Sequence, residues 1–406
     1  MDADAPIQVE SVPLPIAGAR LATAAAGIRY RNRADLVLME LAPESTTAAV
    51  FTRNRFCAAP VTVAREHLAK DRPRYLLINA GNANAGTGDE GLRAARETCR
   101  AVAAMAGCAM SQVLPFSTGV IGEDLPLLPF QRAMPGLFSG LSEDARAWEA
   151  AARAIMTTDT RPKRFGCEVE LSGGLVRLSG IAKGAGMIRP DMATMLAFLA
   201  TDAAVDTATL QAVLTEAVEP SFNSITVDGD TSTNDACVLV ATGASGVGLC
   251  DEEDRERLGL AVGTLCFMLA REIVRDGEGA TKLVELVVEQ AASVADARAV
   301  AYTIAHSPLV KTALFAEDPN WGRILAAVGR AGVDLDIRRV RIYLGDVCIV
   351  RDGGRDPDYR EEEGQWVMAQ DEFEIRVVLG AGTAETRVLT CDLSYDYVKI
   401  NAEYRS

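Results

Sequence analysis

Apolar residues recur along this chain at two spacings. Between 92 and 106, Leu92, Ala95, Cys99, Val102, Ala103 and Ala106 share one helical face, and Gly107 supplies a stop. The pattern predicts further helices over 142–156, with Ser142 as N-cap, over 206–218 and over 251–275. Alternating or β-branched runs predict strands at 34–41, 47–51, 74–78, 224–227, 236–241, 281–288, 340–344 and 373–379. Runs at 167–171 and 175–181 flank Ser172-Gly173-Gly174, the pattern of a hairpin. Residues 351–364 are rich in Gly, Asp and Glu and read as a loop. No repeat and no linker stands out. The mixture describes an α+β protein in which helices cover β-sheets.

A length of 406 residues exceeds what one core usually needs, so two or more domains are expected. Net charge is −15, and no Lys/Arg-rich run occurs, which argues against nucleic acid and anionic membrane as partners. The start, MDADAPIQVE, carries no signal-peptide pattern, and the apolar stretches 192–200 and 260–270 are too short to cross a bilayer. The nine cysteines form no CxxC pair. They predict reduced thiols in a cytoplasmic protein rather than a disulfide framework or a zinc site. Only two histidines occur. His67 is expected on a surface helix, and His306 precedes Ser307-Pro308, where a helical pattern stops. Neither has metal-ligand spacing, and both read as structural, so a histidine-based nucleophile has little to draw on.

Residues 180–200, GIAKGAGMIRPDMATMLAFLA, concentrate the candidate chemistry. Gly180, Gly184 and Gly186 surround Lys183, and the small pair Ala193-Thr194 leads into an apolar strand. Glycines open backbone conformations closed to other residues and leave room for a ligand. A plain Gly-rich turn between two strands fits these residues equally well. The Walker pattern GxxxxGK[ST] is not matched, and GASGVG and GNANAG lack the strand-loop-helix context of a dinucleotide loop.

KGAGMIRPDMATML resembles the signature of the ornithine acetyltransferase / glutamate N-acetyltransferase family of arginine biosynthesis. Further blocks resemble that family in order: GIRYRNRADLVLME, AAVFTRNRFCAAPV, LLINAGNANAGTG, PFSTGVIGE, AIMTTDT, SFNSITVDGDTSTND, DGEGATK, EDPNWGRI and YVKINAEYRS. The resemblance runs from about residue 15 to the end. It implies a layered α/β/β/α fold similar to the aminopeptidase/ornithine acetyltransferase fold. It also implies self-cleavage between Ala193 and Thr194, giving an N-terminal chain 1–193 and a C-terminal chain 194–406 that stay together as an α2β2 heterotetramer.

The chemistry suits that implication. A threonine hydroxyl is a weak nucleophile, and an α-amino group on the same residue, of ordinary pKa about 7.7–8.0, is a base suited to neutral pH. Chain scission before Thr194 supplies that amine. The resemblance implies acetyl transfer from N2-acetyl-L-ornithine to L-glutamate through an acetyl-Thr194 ester. It implies no cofactor, with acetyl-CoA as an alternative donor substrate. Thr118 and Gly119 match the oxyanion pair. Thr157 (with Thr158 beside it), Lys183, Thr194, Glu278, Asn401 and Ser406 match substrate-binding positions. The terminal Ser406 stands where the family more often has Thr. The carboxylates of DGDTSTND (228–235) invite a Mg²⁺ or Ca²⁺ ion, but the segment lacks the glycine and distal glutamate of an EF-hand. The family uses no metal, so we expect a polar loop there.

Two other readings remain at this point. A self-processing aminopeptidase or amidohydrolase of the same fold would pass its acyl group to water. A non-catalytic protein binding metal or nucleotide through its Gly- and Asp-rich loops would keep an unbroken chain.

Overall fold

The turn Ser172-Gly173 joins strands Lys163–Leu171 and Gly174–Lys183 in the computed structural model, which describes residues 7–189 and 195–403. Leu171 pairs with Gly174, whose φ of 135° suits glycine alone. The hairpin forms one edge of a five-stranded sheet. Its order is Thr46–Phe51, Ala236–Ala241, Leu196–Thr201, Gly174–Lys183, Lys163–Leu171. Leu196–Thr201 and Ala236–Ala241 are parallel neighbours buried at every position. Burial on both faces explains why LAFLAT and ACVLVA are apolar runs rather than alternating ones.

The chain divides into two compact units: residues 1–184, 189–223 and 231–273, and residues 185–188, 224–230 and 274–406. The first holds the five-stranded sheet and a four-stranded sheet of Ala19–Ala24, Leu36–Leu41, Tyr75–Asn82 and Val113–Val120. The two sheets share a core in which the Phe116 and Phe198 rings meet edge to face at 5.1 Å. Helices Gly88–Ala106 and Leu127–Ser139 cover the outer face of the four-stranded sheet through Val102, Leu137, Leu36 and Leu38. Behind the five-stranded sheet lies helix Glu252–Arg275. It comes so close that a Cβ at Gly180 would meet Leu265 and Leu269 at 3.1–3.2 Å. The layering is therefore helix, sheet, sheet, helix.

The second unit is built on a six-stranded sheet: Gly354–Arg355, Val347–Arg351, Arg341–Leu344, Glu372–Val378, Leu283–Ala291, Ala384–Cys391. Helices Val294–Ala305, Pro308–Phe315 and Trp321–Gly329 share its core. The protein is an α+β chain with helices on layered sheets. Among the described residues no helix is long and apolar enough to cross a membrane.

Several elements differ from the sequence pattern. The helix expected over 142–156 is Ala145–Ala154, capped by Asp144, whose carboxylate accepts from the Arg146 N–H at 3.0 Å. Ser142 instead bridges to Leu21 at the edge of the four-stranded sheet, a contact local sequence does not encode. Residues 224–227 form no strand; Ile225 makes a single bridge to Leu389. The strand at 74–78 runs on to Asn82. The 351–364 loop contains a tight hairpin, with Asp352 (φ 53°) and Gly353 (φ 72°) at its turn, and the start of helix Glu361–Met368. His67 is not on the surface: it faces inward, and its Nδ1 lies 2.7 Å from the Val113 carbonyl. His306 Nε2 lies 3.1 Å from Thr226 Oγ1.

Candidate active site

Within the first unit, Tyr75–Asn82 and Val113–Val120 run parallel and bring Ala80 beside Thr118 and Gly81 beside Gly119. Close contact at this end is what the small residues allow. A Cβ on Gly119 would sit 2.2 Å from the Gly81 carbonyl carbon, and Gly119 has φ of 133°. Both constraints fall on backbone, which cannot swing aside. Gly119→Ala is therefore expected to cost at least about 3 kcal/mol of stability, read as a lowered melting temperature or loss of soluble protein. A variant melting with the wild type would remove this reading of position 119.

The buried asparagines of NAGNANAGTG fix the strand end. Asn79 Nδ2 donates to the Asn82 carbonyl at 2.8 Å, and Asn79 Oδ1 accepts from Ser117 Oγ at 2.6 Å. Asn84 Nδ2 donates to the Gly91 carbonyl at 2.9 Å. From the segment leading into strand Ala236–Ala241, Asn234 Nδ2 donates to the Ala83 and Ser117 carbonyls at 2.6 and 3.0 Å. Buried polar groups must be hydrogen-bonded, and here the bonds lock Thr118 and Gly119 in place.

Lys183 ends its strand buried, with Nζ donating to Thr118 Oγ1 at 3.2 Å. Because Thr118 Oγ1 accepts that bond, its own O–H remains free to donate elsewhere. Asp159 organises the ground beneath. Its carboxylate accepts from Lys163 Nζ at 2.5 Å and from the Gly184 N–H at 2.7 Å. Its second oxygen accepts from the Thr157 N–H at 2.9 Å. Burial alone would raise its pKa. The charges of Lys163 and then Lys183, with the hydrogen bonds, outweigh burial and hold it well below the usual carboxylate range. Thr157 and Thr158 are both half-buried, and the Thr157 N–H is the one that Asp159 holds.

Asp235 is another of the buried carboxyls in this unit, 2 % exposed. Burial pushes its pKa well above the usual range; Ser232, Lys183 and the Met195 N–H pull the other way.

In the second unit, Asn401 Nδ2 donates to Glu278 Oε2 at 2.8 Å. The Glu278 N–H bonds the Ala185 carbonyl at 2.8 Å, and a Cβ on Gly186 would lie 2.4 Å from the Glu278 carboxyl. Burial, then Asp228 and Glu278, pushes the Tyr397 phenol up. Asp228, the first carboxylate of the 228–235 segment, accepts from the Met187, Ile188 and Asp230 N–H groups at 2.6, 2.9 and 3.1 Å. Among the described residues no group of three or more His, Cys, Asp and Glu is placed to hold a metal ion.

The expected residues thus fall into two sets. Thr118, Gly119, Lys183 and the Thr157 backbone are linked in the first unit, and Glu278 and Asn401 are linked in the second. Ala193, Thr194 and Ser406 lie outside the described residues. Sequence reasoning missed Asp159 and Lys163, and weighed Asn234 and Asp235 only as part of the 228–235 polar segment. The one signal available was the i, i+4 spacing of Asp159 and Lys163 beside an apolar strand.

The pattern of the ArgJ family matches residues 20–406. The arginine biosynthesis bifunctional protein ArgJ of Methylococcus capsulatus is 61 % identical over 395 residues, covering 97 % of this chain and 96 % of that protein. Two solved structures are also similar. One is the arginine biosynthesis bifunctional protein ArgJ of Bacillus halodurans (40 % identity, 50 % of this chain, 96 % of that chain, TM-score 0.48). The other is the ornithine acetyltransferase of Mycobacterium tuberculosis complexed with ornithine (34 %, 46 %, 99 %, TM-score 0.43). The match along nearly the whole sequence establishes that the chain belongs to the ArgJ family, bifunctional acyltransferases of arginine biosynthesis.

Proposed function

We propose that this enzyme moves an acetyl group from N2-acetyl-L-ornithine to L-glutamate through an ester on Thr194. The Ala193–Thr194 bond is first broken by the chain itself. The observation that carries the reading is the cluster at the end of Gly174–Lys183. There Lys183 bonds Thr118 at 3.2 Å beside the constrained Gly119, just before the segment that contains Thr194.

In the first half-reaction the Thr194 hydroxyl attacks the acetyl carbon of the donor, and its proton passes to the α-amine of the same residue. The oxyanion accepts from the Thr118 O–H and the Gly119 N–H; each such donor contributes about 3–4 kcal/mol. The C–N bond breaks, the amine returns the proton to the departing nitrogen, and ornithine leaves. Glutamate reverses the sequence: its amine attacks the ester, and the Thr194 oxygen recovers a proton.

Lys183 offers a cation to the substrate carboxylate, and the family correspondence makes Thr157, Glu278, Asn401 and Ser406 further substrate-binding positions. Glu278 is the counter-charge for the ornithine ammonium. Glu278→Gln, which keeps shape and loses charge, is expected to raise KM for N-acetylornithine about 10- to 100-fold, with a smaller change for glutamate. Equal KM changes for both substrates would take this role from Glu278.

The cut falls between paired strands. Leu196–Thr201 and Ala236–Ala241 from the C-terminal piece sit between Gly174–Lys183 and Thr46–Phe51 from the N-terminal piece. Fragments of 193 and 213 residues interleaved in one sheet have reason to stay together, in the α2β2 assembly proposed here. Nine unpaired cysteines support a cytoplasmic location. The reading needs no cofactor, with acetyl-CoA entering as an alternative donor.

Exchange of labelled ornithine into N-acetylornithine without glutamate tests the two-step cycle. An acyl-enzyme supports exchange; a direct transfer between two bound substrates does not. Acetyl-CoA and glutamate, supplied alone, test the second donor.

A further inference from the structure

Arg33, in the first unit, has no part in the chemistry above, yet its setting is unusual for an arginine. The residue is half-buried, and among the described residues no carboxylate pairs with it. Its guanidinium carbon lies 3.7 Å from the centroid of the Tyr30 ring. Nη2 donates to the Met156 carbonyl at 2.7 Å, and Nε is buried without a hydrogen-bond partner. A cation drawn partly out of water with no counter-charge is costly, so its retention calls for a reason.

The loop that carries it is firmly built. The buried Asp35 carboxylate accepts from the Ala26, Gly27, Ile28 and Arg29 N–H groups at 2.8, 3.3, 2.7 and 3.4 Å. The Asp35 carbonyl accepts from the Ala80 N–H at 2.9 Å. A Cβ on Gly81 would lie 2.6 Å from Arg29 Cβ and 3.4 Å from the Tyr30 ring, and Gly81 is the strand neighbour of Gly119. The loop is thus seated on the strand end that holds Thr118 and Gly119, and Arg33 reaches from it to Met156.

The Met156 carbonyl belongs to the same peptide group as the Thr157 N–H, which Asp159 accepts at 2.9 Å. That peptide is held at both ends by full charges, a cation at its oxygen and a carboxylate at its N–H. The signs match the peptide dipole, and both hydrogen bonds are charge-assisted. The Thr157 hydroxyl, by contrast, has no hydrogen-bond partner among the described residues.

We propose that Arg33 is a positioning residue for substrate binding: with Asp159 it locks the peptide before Thr157 and so fixes where the Thr157 hydroxyl stands. The inference rests on the reading of Thr157 as a substrate-binding position and deepens it. Arginine suits the task because its flat face lies on the Tyr30 ring while an edge N–H reaches the carbonyl. Lysine keeps the charge and lacks the plane.

Arg33→Lys is expected to raise KM for N-acetylornithine about 10-fold, with kcat within about threefold of the wild type and the melting temperature little changed. Thr157→Val should raise KM by a similar factor. The combined variant should be no worse than Thr157→Val alone, because both changes act through one hydroxyl. Tyr30→Leu removes the face on which the guanidinium rests and should raise KM about threefold, which decides the matter if the lysine variant does not fold. Factors that multiply in the combined variant would show that Arg33 acts without Thr157, and the proposal falls. It falls equally if Arg33→Lys, or Tyr30→Leu in its place, keeps a wild-type KM while Thr157→Val raises it, whatever happens to the melting temperature. A wild-type KM for Thr157→Val removes the parent reading of that hydroxyl, and this proposal with it.

Discussion

Thr194→Ala is expected to leave a single chain of 406 residues on a denaturing gel and to lower acetyl transfer by at least about 10⁴-fold. In the proposed mechanism one substitution removes two functions because one hydroxyl performs both. In the precursor it would attack the Ala193 carbonyl, and the resulting ester would be released by water as a carboxylate and a new N-terminal threonine. In the mature enzyme it would carry the acetyl group. The proposed remaining site, Thr118 and Gly119 with Lys183, would still bind but have nothing to acylate. Thr194→Ser keeps the hydroxyl and should keep both activities at reduced rates. Cleavage of the alanine variant at the same bond, seen by intact mass, would show that another group cuts the chain.

Asp159→Asn produces the second large effect, on stability. Asp159 and Lys163 have no exposed side-chain surface. Removing the carboxylate charge leaves the buried Lys163 ammonium with neutral hydrogen-bond acceptors such as the Gly184 carbonyl but without its counter-charge, at a cost of about 3–5 kcal/mol. It also weakens the bonds that fix Gly184 and the Thr157 backbone. Total stabilities of 5–15 kcal/mol are usual, so the variant should melt roughly 10 °C or more below the wild type. The acid side follows from the direction of the Asp159 shift. Its folded pKa lies below the ordinary value near 3.9, so its contribution is complete above about pH 4 and is lost as pH falls through the depressed value. Asp159→Asn should show a smaller loss of stability over that acid range than the wild type. Replacing both partners with apolar residues of similar volume should restore much of the loss. A melting temperature unchanged by the single substitution would mean that water reaches the pair.

Much of this was legible in the sequence, for identifiable reasons. The 88–106 helix announces itself through spacing and through Gly107, which caps it at φ 66°. The hairpin at 172–173 and the buried strands at 196 and 236 follow from turn chemistry and unbroken apolar runs. What failed was decided by distant contacts. Ser142 is taken by a sheet edge at Leu21, and His67 is drawn inward by the Val113 carbonyl. The pair formed by Glu278 and Asn401 is separated by 123 residues, and only resemblance suggested it. Asp159 was invisible as a site residue because burial, not composition, distinguishes it from any surface aspartate, and Asp235 showed only as one carboxylate of the polar 228–235 segment.

Everything in the mechanism passes through an acetyl ester at position 194. Rapid acid quenching of the enzyme with N-acetylornithine and no glutamate, followed by peptide mass spectrometry, tests for it directly. We predict an added acetyl mass on the peptide that begins at Thr194, removed when glutamate is supplied. Turnover with that peptide unmodified throughout, or with the acetyl group on any other residue, would contradict it.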